Sequence, residues 1–307
     1  MKIIFAGTPD FAVPSLQMLL DSKYEVCAVY TQPDRPAGRG RQIHVSPVKA
    51  LALSHSIPVC QPLTLKADED LQVLKSFAAD LMVVVAYGMI LTEAALAVPK
   101  LGCLNVHGSL LPRWRGAAPI QRALMAGDEK TGVTIMQIVR QLDAGDMLHK
   151  EEYVIDANDT ASDLHDKLAG LGATGLSKVL AAMEIAPVPA EPQDESLVTY
   201  AEKLTKTEAV IDWSQPAGIL ALKVRGLNAW PVAQTLYQGN VLRIWKAEAI
   251  VGDTDLEPGI VSSLNKNMEV ATGKGLLRLH EVQLPGGKRM SAQAFLNAHD
   301  VNGVRLG

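Results

Sequence analysis

Asn105 and His107 are the residues whose types and spacing point most directly to catalysis. They occupy alternate positions in CLNVH, an apolar segment that predicts a β-strand. Because alternate residues of a strand point to the same face, we expect the amide and the imidazole to lie side by side. Such a pair can stabilise an oxyanion and move a proton, the chemistry of acyl transfer. A buried amide without partners costs about 1–3 kcal/mol, so Asn105 inside an apolar strand requires a reason.

A carboxylate near His107 would orient the imidazole for this chemistry. The segment RQLDAGDM follows the predicted strand TIMQI and carries Asp143 and Asp146, and the spacing does not choose between them. Other chemistries fit the sequence less well. Ser109 does not stand in a Gly-x-Ser-x-Gly elbow. The sequence has no HxH, HxxxH or HExxH pattern, so we expect no metal site.

The elements around these residues predict an α/β fold with a Rossmann-like, mostly parallel sheet. KIIFAG, a helical pattern over Phe11–Leu20, and EVCAVYT form a βαβ unit. LMVVVAYG is an unbroken apolar strand, as expected between two layers of helices. Open α/β sheets bind ligands at the carboxyl ends of their strands, where Asn105 and His107 would lie. A nucleotide cofactor is a weak alternative, because the first loop, GTPDF, has one glycine where GxGxxG has three.

A change in composition predicts two domains. Residues 1–186 carry the α/β pattern and are predicted to be the catalytic domain. Residues 187–205 are rich in proline and acidic residues and are predicted to be a linker. Residues 206–307 contain short strands and turns, including a hairpin around Gln238-Gly239-Asn240, and are predicted to form a small β-barrel.

The overall composition is that of a soluble globular protein. The chain has 307 residues, 48% of them hydrophobic and 20% charged, with a net charge of −4. No apolar run reaches the roughly 18 residues of a membrane span. Three cysteines without a CxxC motif indicate reduced thiols, so we expect a cytoplasmic protein. Nothing in the sequence indicates an obligate protein partner, and we expect a monomer.

One long loop is strongly basic. Between Asp34 and Lys49 the chain carries Arg35, Arg39 and Arg41, and it is rich in glycine and proline. Long loops in compact domains are often functional, and a basic loop suits contact with a phosphate backbone. A solvated surface loop is the alternative.

Several of these segments together resemble the folate-dependent formyltransferases. The resemblance rests on NVHGSLLPRWRGAAPIQ and LDAGDM, which contain the proposed catalytic residues. The opening IIFAGTPDFA, the loop TQPDRPAGRGR, the strand end VVVAYGMIL and the later segments TYAEKLTKTEAVIDW and VRGLNAWP extend it over the whole chain. The chain is therefore identified from its motifs as a member of that family.

The resemblance implies a Rossmann-like formyl-transfer domain followed by an OB-like β-barrel. It also implies 10-formyltetrahydrofolate as formyl donor, no metal, and the amino group of methionine on initiator tRNA as acceptor. The product would be formylmethionyl-tRNA for translation initiation. The alternative is a related enzyme that formylates a small amine, such as glycinamide ribonucleotide or an amino sugar. The basic loop and the C-terminal barrel argue against that alternative, since a small acceptor needs neither.

The resemblance also implies roles for individual residues. Asn105 would donate to the oxyanion, His107 would donate a second hydrogen bond or carry the amine proton, and Asp143 would hold the imidazole; the formal base stays undecided. For Arg113 and Arg115 two roles stay open, one in the structure of the turn and one in contact with the substrate. The residues expected to bind folate are Ser109, Leu110, Leu111, Pro112, Ala86, Tyr87, Gly88 and Met89. The residues expected to bind tRNA are Arg39, Arg41, Lys203, Lys206 and Arg225.

Overall fold

The computed structural model describes residues 1–37, 42–252, 254–263 and 267–307. These residues form two compact units. The first unit contains residues 1–119, 130–154 and 165–201, and the second contains residues 120–129, 155–164 and 202–307. The predicted linker, 187–205, is thus divided, because its residues through Ala201 pack within the first unit.

The first unit is built on a seven-stranded sheet. Its strand order is β10-β9-β7-β6-β1-β2-β5. Two short ribbons, β3 with β4 and β8 with β11, accompany it. The strands of this unit are β1 (Lys2–Gly7), β2 (Glu25–Tyr30), β3 (Arg35–Ala37), β4 (Gln42–His44), β5 (Val59–Cys60), β6 (Leu81–Val85), β7 (Cys103–His107), β8 (Arg115–Gly116), β9 (Lys130–Gln137), β10 (Met147–Val154) and β11 (Tyr200–Ala201).

The predicted mostly parallel sheet is confirmed, with an antiparallel edge. Strands β5, β2, β1, β6 and β7 pair in parallel, whereas β9 runs antiparallel to both β7 and β10. Gln137, near the end of β9, therefore lies opposite Leu104, near the start of β7. The chain between β9 and β10 must return toward the end of β7 to reach His107.

Helices of the first unit pack against its sheet. Both β1 and β6 are almost wholly buried, as expected for central strands with helices on both faces. Thr160 and Asp163 form a reciprocal cap at the start of the longest helix, because each backbone N–H bonds the side chain of the other. The helices of the two units are α1 (Val13–Leu20), α2 (Pro47–Ser54), α3 (Asp68–Ser76), α4 (Glu93–Leu96), α5 (Pro119–Ala126), α6 (Ala161–Met183), α7 (Ala217–Gly226) and α8 (Ala292–Ala298).

The second unit contains an antiparallel sheet of order β12-β13-β16-β15-β14, with β17 paired to β16. The hairpin between β12 and β13 is confirmed, and its turn residues Gln238 and Gly239 both have positive φ, as tight hairpin turns require. Helices α7 and α8 were not expected from the sequence, which indicated strands and turns alone. The strands are β12 (Gln234–Tyr237), β13 (Asn240–Ile250), β14 (Val261–Ser262), β15 (Met268–Ala271), β16 (Leu276–Gln283) and β17 (Met290–Ser291).

Cys27, Cys60 and Cys103 are all free thiols. Among the described residues, no helix has both the length and the apolar character needed to cross a membrane.

Candidate active site

Asn105 and His107 lie on β7 and both face the carboxylate of Asp143. The amide nitrogen of Asn105 is 3.5 Å from Oδ1 of Asp143, and Nδ1 of His107 is 3.7 Å from Oδ2. His107 is buried, while Asn105 and Asp143 are partly exposed. One carboxylate is thus shared by an amide donor and an imidazole at a partly open position.

The surroundings of His107 determine where its proton lies. Nε2 is 2.9 Å from the backbone carbonyl oxygen of Trp114. A carbonyl oxygen only accepts hydrogen bonds, so Nε2 must carry a proton. Nδ1 is then the nitrogen that faces Asp143 and can exchange a proton. An oxygen that can accept a proton thus faces each ring nitrogen. Both nitrogens would therefore also face an acceptor if the ring were the doubly protonated imidazolium.

Asp143 is held in a tight loop between β9 and β10. Its φ of 48° is left-handed, a conformation that few non-glycine residues adopt. Oδ2 accepts the backbone N–H of Gly116 at 2.9 Å. The neighbouring candidate, Asp146, accepts the N–H of Gln137 through its backbone carbonyl at 2.9 Å and so closes the loop. The structure therefore brings Asp143, and not Asp146, to the shared position.

The turn after His107 is fixed by buried hydroxyl groups. Thr134 on β9 donates to the carbonyl of Ser109 at 2.7 Å and accepts the N–H of Leu111 at 3.1 Å. Ser109 donates to the carbonyl of Arg113 at 2.6 Å. Leu111 packs with two buried methionines, while Leu110 and Pro112 are partly exposed. Of the four predicted folate contacts here, the structure thus places Leu110 and Pro112 nearer to solvent.

The other predicted folate contacts follow β6. Ala86 and Gly88 are exposed, with φ of 46° and 77°. Tyr87 between them is 2% exposed, and its side chain belongs to the core. Its carbonyl accepts from the Thr8 hydroxyl at 2.9 Å. Met89 packs partly against the same core. At this strand end, Ala86 and Gly88 offer backbone to a ligand, whereas the Tyr87 ring does not.

An apolar rim borders this strand end. Ile90 is 89% exposed, Leu142 is 61% exposed and Val139 is 43% exposed, although each is a large apolar residue. Their two loops are neighbours, since Arg140 on one pairs with Glu93 beside the other at 3.3 Å. Exposed apolar groups at one edge are typical of a binding surface.

Cys103 on the same strand is not a candidate nucleophile. Its side chain is buried, and burial raises the pKa of the thiol to about 12. A thiol is reactive as the thiolate, which a pKa in this range makes scarce at neutral pH. The described residues also contain no group of three histidine, cysteine or acidic side chains that could hold a metal.

The basic loop is tied together at its two ends. Lys49 bonds both Asp34 and Gln61, and Gln61 also donates to Asp34 at 2.8 Å. These hydrogen bonds, with that of Lys49 first, lower the pKa of the Asp34 carboxyl. The two predicted tRNA contacts in the loop, Arg39 and Arg41, lie outside the described residues.

The remaining predicted tRNA contacts are in the second unit. Lys203 and Lys206 are exposed. Arg225 differs, because its guanidinium donates to the backbone carbonyls of Asp159 and Asp156, at 2.8 Å each. Its described contacts thus join segments of this unit, and any role in binding tRNA stays a prediction.

Arg115, Gln193 and Thr199 support the site, and of these the sequence singled out only Arg115, without deciding its role. Arg115 is fully buried and pairs with Glu195 at 2.8 Å, which places it in the turn structure. Gln193 donates to the carbonyl of Asp143 at 2.8 Å, and the Thr199 hydroxyl accepts the N–H of Trp114 at 3.0 Å. Gln193 and Thr199 lie in the segment predicted to be a linker, where no spacing pattern marks them. Arg113 lies over the Trp114 ring at 4.5 Å.

The fold and this site define a formyltransferase. Residues 1–180 match the model of the formyl transferase family, and residues 203–300 match that of the formyl transferase C-terminal domain. The chain belongs to the formyl transferase family. Over its whole length it is 55% identical to the methionyl-tRNA formyltransferase of Methylococcus capsulatus, covering 100% of both chains. It is 54% identical to that of Hydrogenovibrio crunogenus, covering 100% of this chain and 99% of the other.

Solved structures share the fold at low identity. The sugar 3N-formyl transferase WlaRD, crystallised with dTDP and 5-N-formyl-THF, is 17% identical, with a TM-score of 0.68 over 94% of this chain and 99% of that one. HypX from Aquifex aeolicus in complex with tetrahydrofolic acid is 16% identical, with a TM-score of 0.63 over 96% of this chain. This chain spans 47% of HypX.

Proposed function

We propose that this protein transfers a formyl group from 10-formyltetrahydrofolate to the amino group of methionine on initiator tRNA. The observation that carries the proposal is the Asp143 carboxylate, which faces both an amide and an imidazole on one strand face. The acceptor is proposed from the curated relatives of similar length, which are named methionyl-tRNA formyltransferases.

Asn105 is suited to stabilise negative charge on the formyl oxygen. When the neutral amine attacks the formyl carbon, a new N–C bond forms and charge moves to that oxygen. One N–H of the Asn105 amide faces Asp143, and the other remains for the developing oxyanion. A donor fixed in advance by a carboxylate needs little rearrangement during the reaction, which is the basis of oxyanion stabilisation.

His107 and Asp143 are suited to move the proton that the amine loses. The Trp114 carbonyl occupies Nε2, so proton transfer is proposed to occur at Nδ1. Asp143 stands 3.7 Å from Nδ1 and would stabilise the charge that the imidazole gains. His107 would then return this proton to the leaving nitrogen as the old C–N bond breaks.

The strand end and the apolar rim are suited to hold the donor. 10-Formyltetrahydrofolate would supply the formyl carbon and, at N10, an amine leaving group. The exposed backbone at Ala86 and Gly88 offers hydrogen-bonding groups, and Ile90, Val139 and Leu142 offer apolar contact to a flat ring. We propose that the pterin end of folate binds there, beside Asp143.

Binding of tRNA is proposed to use separate basic features of each unit. In the first unit Asp34 and Lys49 pair at the two ends of the basic loop, and Arg39 and Arg41 of that loop are proposed to contact the tRNA backbone. In the second unit Lys203 and Lys206 are exposed. Its antiparallel sheet is proposed to be OB-like, which is supported by the irregular register between β13 and β16 that curves a strand.

A formyltransferase for a small amine would use the same three catalytic residues. A phosphoribosylglycinamide formyltransferase matches 60% of this chain and a sugar 3N-formyl transferase matches 94% of it, both at low identity. The deciding experiment measures formyl transfer from 10-formyltetrahydrofolate to methionyl initiator tRNA, methionyl elongator tRNA and both small amines. We expect rapid transfer to initiator tRNA alone. Transfer to a small amine but not to tRNA would contradict the proposal.

A further inference from the structure

Asp143 depends on a contact from outside its own loop. Its backbone has a left-handed φ of 48°, and Gly145, two residues on, leaves no room for a side chain, because a Cβ there would lie 1.9 Å from the Gln137 carbonyl. The Gln193 amide nitrogen donates to the carbonyls of both Asp143 and Gly145, at 2.8 Å each. One side chain thus holds two peptide groups of the loop, the one after Asp143 and the one after Gly145.

Gln193 is itself fixed by a buried charge. Arg115 is fully buried and donates from Nε to Oε1 of Gln193 at 2.9 Å and from Nη2 to Glu195 at 2.8 Å. A buried guanidinium without partners is costly, so residues 193 and 195 are drawn to this place. The amide of Gln193 is thereby orientated, because its oxygen faces Arg115 and its nitrogen faces the loop.

The same segment also supports the other acceptor of His107. The Thr199 hydroxyl accepts the Trp114 N–H at 3.0 Å, and its carbonyl accepts the Arg115 N–H at 2.9 Å. Trp114 is the residue whose carbonyl bonds Nε2 of His107. Residues 193–199 therefore fix both sides of the imidazole, through Asp143 and through Trp114.

We propose that residues 193–199 are a positioning segment for the catalytic site, and that Gln193 is its principal positioning residue. Gln193 would act through Asp143 by holding the carboxylate at the distance that serves both Asn105 and His107. This inference rests on the proposed formyl transfer. A displacement of about 1 Å at a catalytic group can lower a rate about 100-fold, so a distant amide can control turnover.

Gln193→Glu is the variant that tests this inference most directly. Its carboxylate can still pair with Arg115, which preserves the fold, but it has no N–H for the two carbonyls. We expect kcat to fall about 10- to 100-fold, with KM for folate and for tRNA within about twofold. Gln193→Met, which lacks both groups, should lower kcat as much and also lower the melting temperature. Glu191→Gln is the matched control, since Glu191 is exposed, lies two residues before this segment and pairs with Lys150 at 3.9 Å; it should keep the wild-type kcat.

A double-mutant cycle distinguishes positioning from general damage. If Gln193 acts through Asp143, then Gln193→Glu should change kcat less than about twofold in an Asp143→Ala background. The inference would be overturned if Gln193→Glu lowered kcat as much in that background as in the wild-type protein. It would also be overturned if the single variant kept the wild-type kcat. Absence of formyl transfer to tRNA by the wild-type protein would instead contradict the proposed function, and that measurement comes first.

Discussion

Oδ2 of Asp143 lies 2.9 Å from the backbone nitrogen of Gly116, while it stands 3.7 Å from Nδ1 of His107. The contact with Gly116 is a hydrogen bond, whereas the distance to His107 is too long for one. The carboxylate is thus held by the backbone, and we propose that its pairing with the imidazole tightens during the reaction.

Asn105 and Asp143 should be essential for chemistry and dispensable for folding. Asn105→Ala removes the proposed oxyanion donor, and we expect the single-turnover rate of formyl transfer to fall about 100- to 1,000-fold. Asp143→Asn should also lower this rate by orders of magnitude, because a neutral amide cannot stabilise the imidazolium. Rapid mixing with charged initiator tRNA measures the rate, and circular dichroism checks the fold. Near wild-type rates in either variant would remove that residue from the mechanism.

The sequence predicted the proposed catalytic residues better than the residues that hold them in place. Asn105 and His107 could be paired because strand periodicity places alternate residues on one face. Asp143 could be placed near them only approximately, since β9 proved antiparallel to β7 and the loop after it has to return along the strand. Local pattern does not encode strand direction, so the choice over Asp146 came from family resemblance and not from spacing.

The support of Asp143 could not be read from the sequence because it is non-local. Gln193 and Arg115 lie far apart in the chain, and nothing in a proline-rich acidic segment distinguishes a glutamine that bonds a catalytic loop from a solvated one. Arg115 would ordinarily be expected at the surface, and its burial follows from the partners that residues 193 and 195 supply. Helices α7 and α8 were missed because short apolar runs do not distinguish a buried helix from a strand.

Thr134→Val should destabilise the first unit and weaken folate binding. The hydroxyl satisfies the Ser109 carbonyl and the Leu111 N–H, both inside the protein, and valine leaves both without a partner. We expect the free energy of unfolding to fall by about 1–3 kcal/mol and KM for folate to rise. Denaturant titration measures the first effect. Thr134→Ser, which keeps the hydroxyl, is the control, and an equal loss in both variants would contradict the hydrogen-bond explanation.

The base of the basic loop should respond to acid. The pKa of Asp34 is lowered by Lys49 and Gln61, so the folded state favours the ionised carboxylate. This contribution to stability is complete above the ordinary pKa of an aspartate and is lost as the pH falls through the lowered value. Asp34→Asn should therefore lower the melting temperature at neutral pH and make no difference in strong acid.

Glu25→Gln is a suitable control for this acid response. Glu25 is exposed and lies 3.9 Å from Lys2, so its neutralisation should have little effect at either pH. If the melting temperatures of the wild type and Asp34→Asn differed by the same amount at neutral pH and in strong acid, the ion pair would not be what holds the loop.

All three cysteines should resist alkylation in the folded protein. Burial raises the pKa of each thiol, and that of Cys103 reaches about 12. The thiolate is the reactive form, so iodoacetamide at neutral pH should label them far more slowly than a free thiol. Mass spectrometry after timed labelling, with and without denaturant, measures this. Fast labelling of Cys103 in the folded state would contradict its burial.

Lys203 and Lys206 should contribute to tRNA binding by charge, whereas Arg225 should contribute by structure. Each exposed lysine that contacts a phosphate releases counterions, so Lys206→Ala should weaken tRNA binding and reduce the salt dependence of the affinity by about one unit of slope. Folate binding should change little with salt.

Arg225 donates to two backbone carbonyls, so Arg225→Ala should lower the melting temperature and leave the salt slope as it is. Fluorescence titrations of labelled tRNA over a range of salt separate these effects. A reduced slope in Arg225→Ala with unchanged stability would mean that its guanidinium contacts phosphate after all.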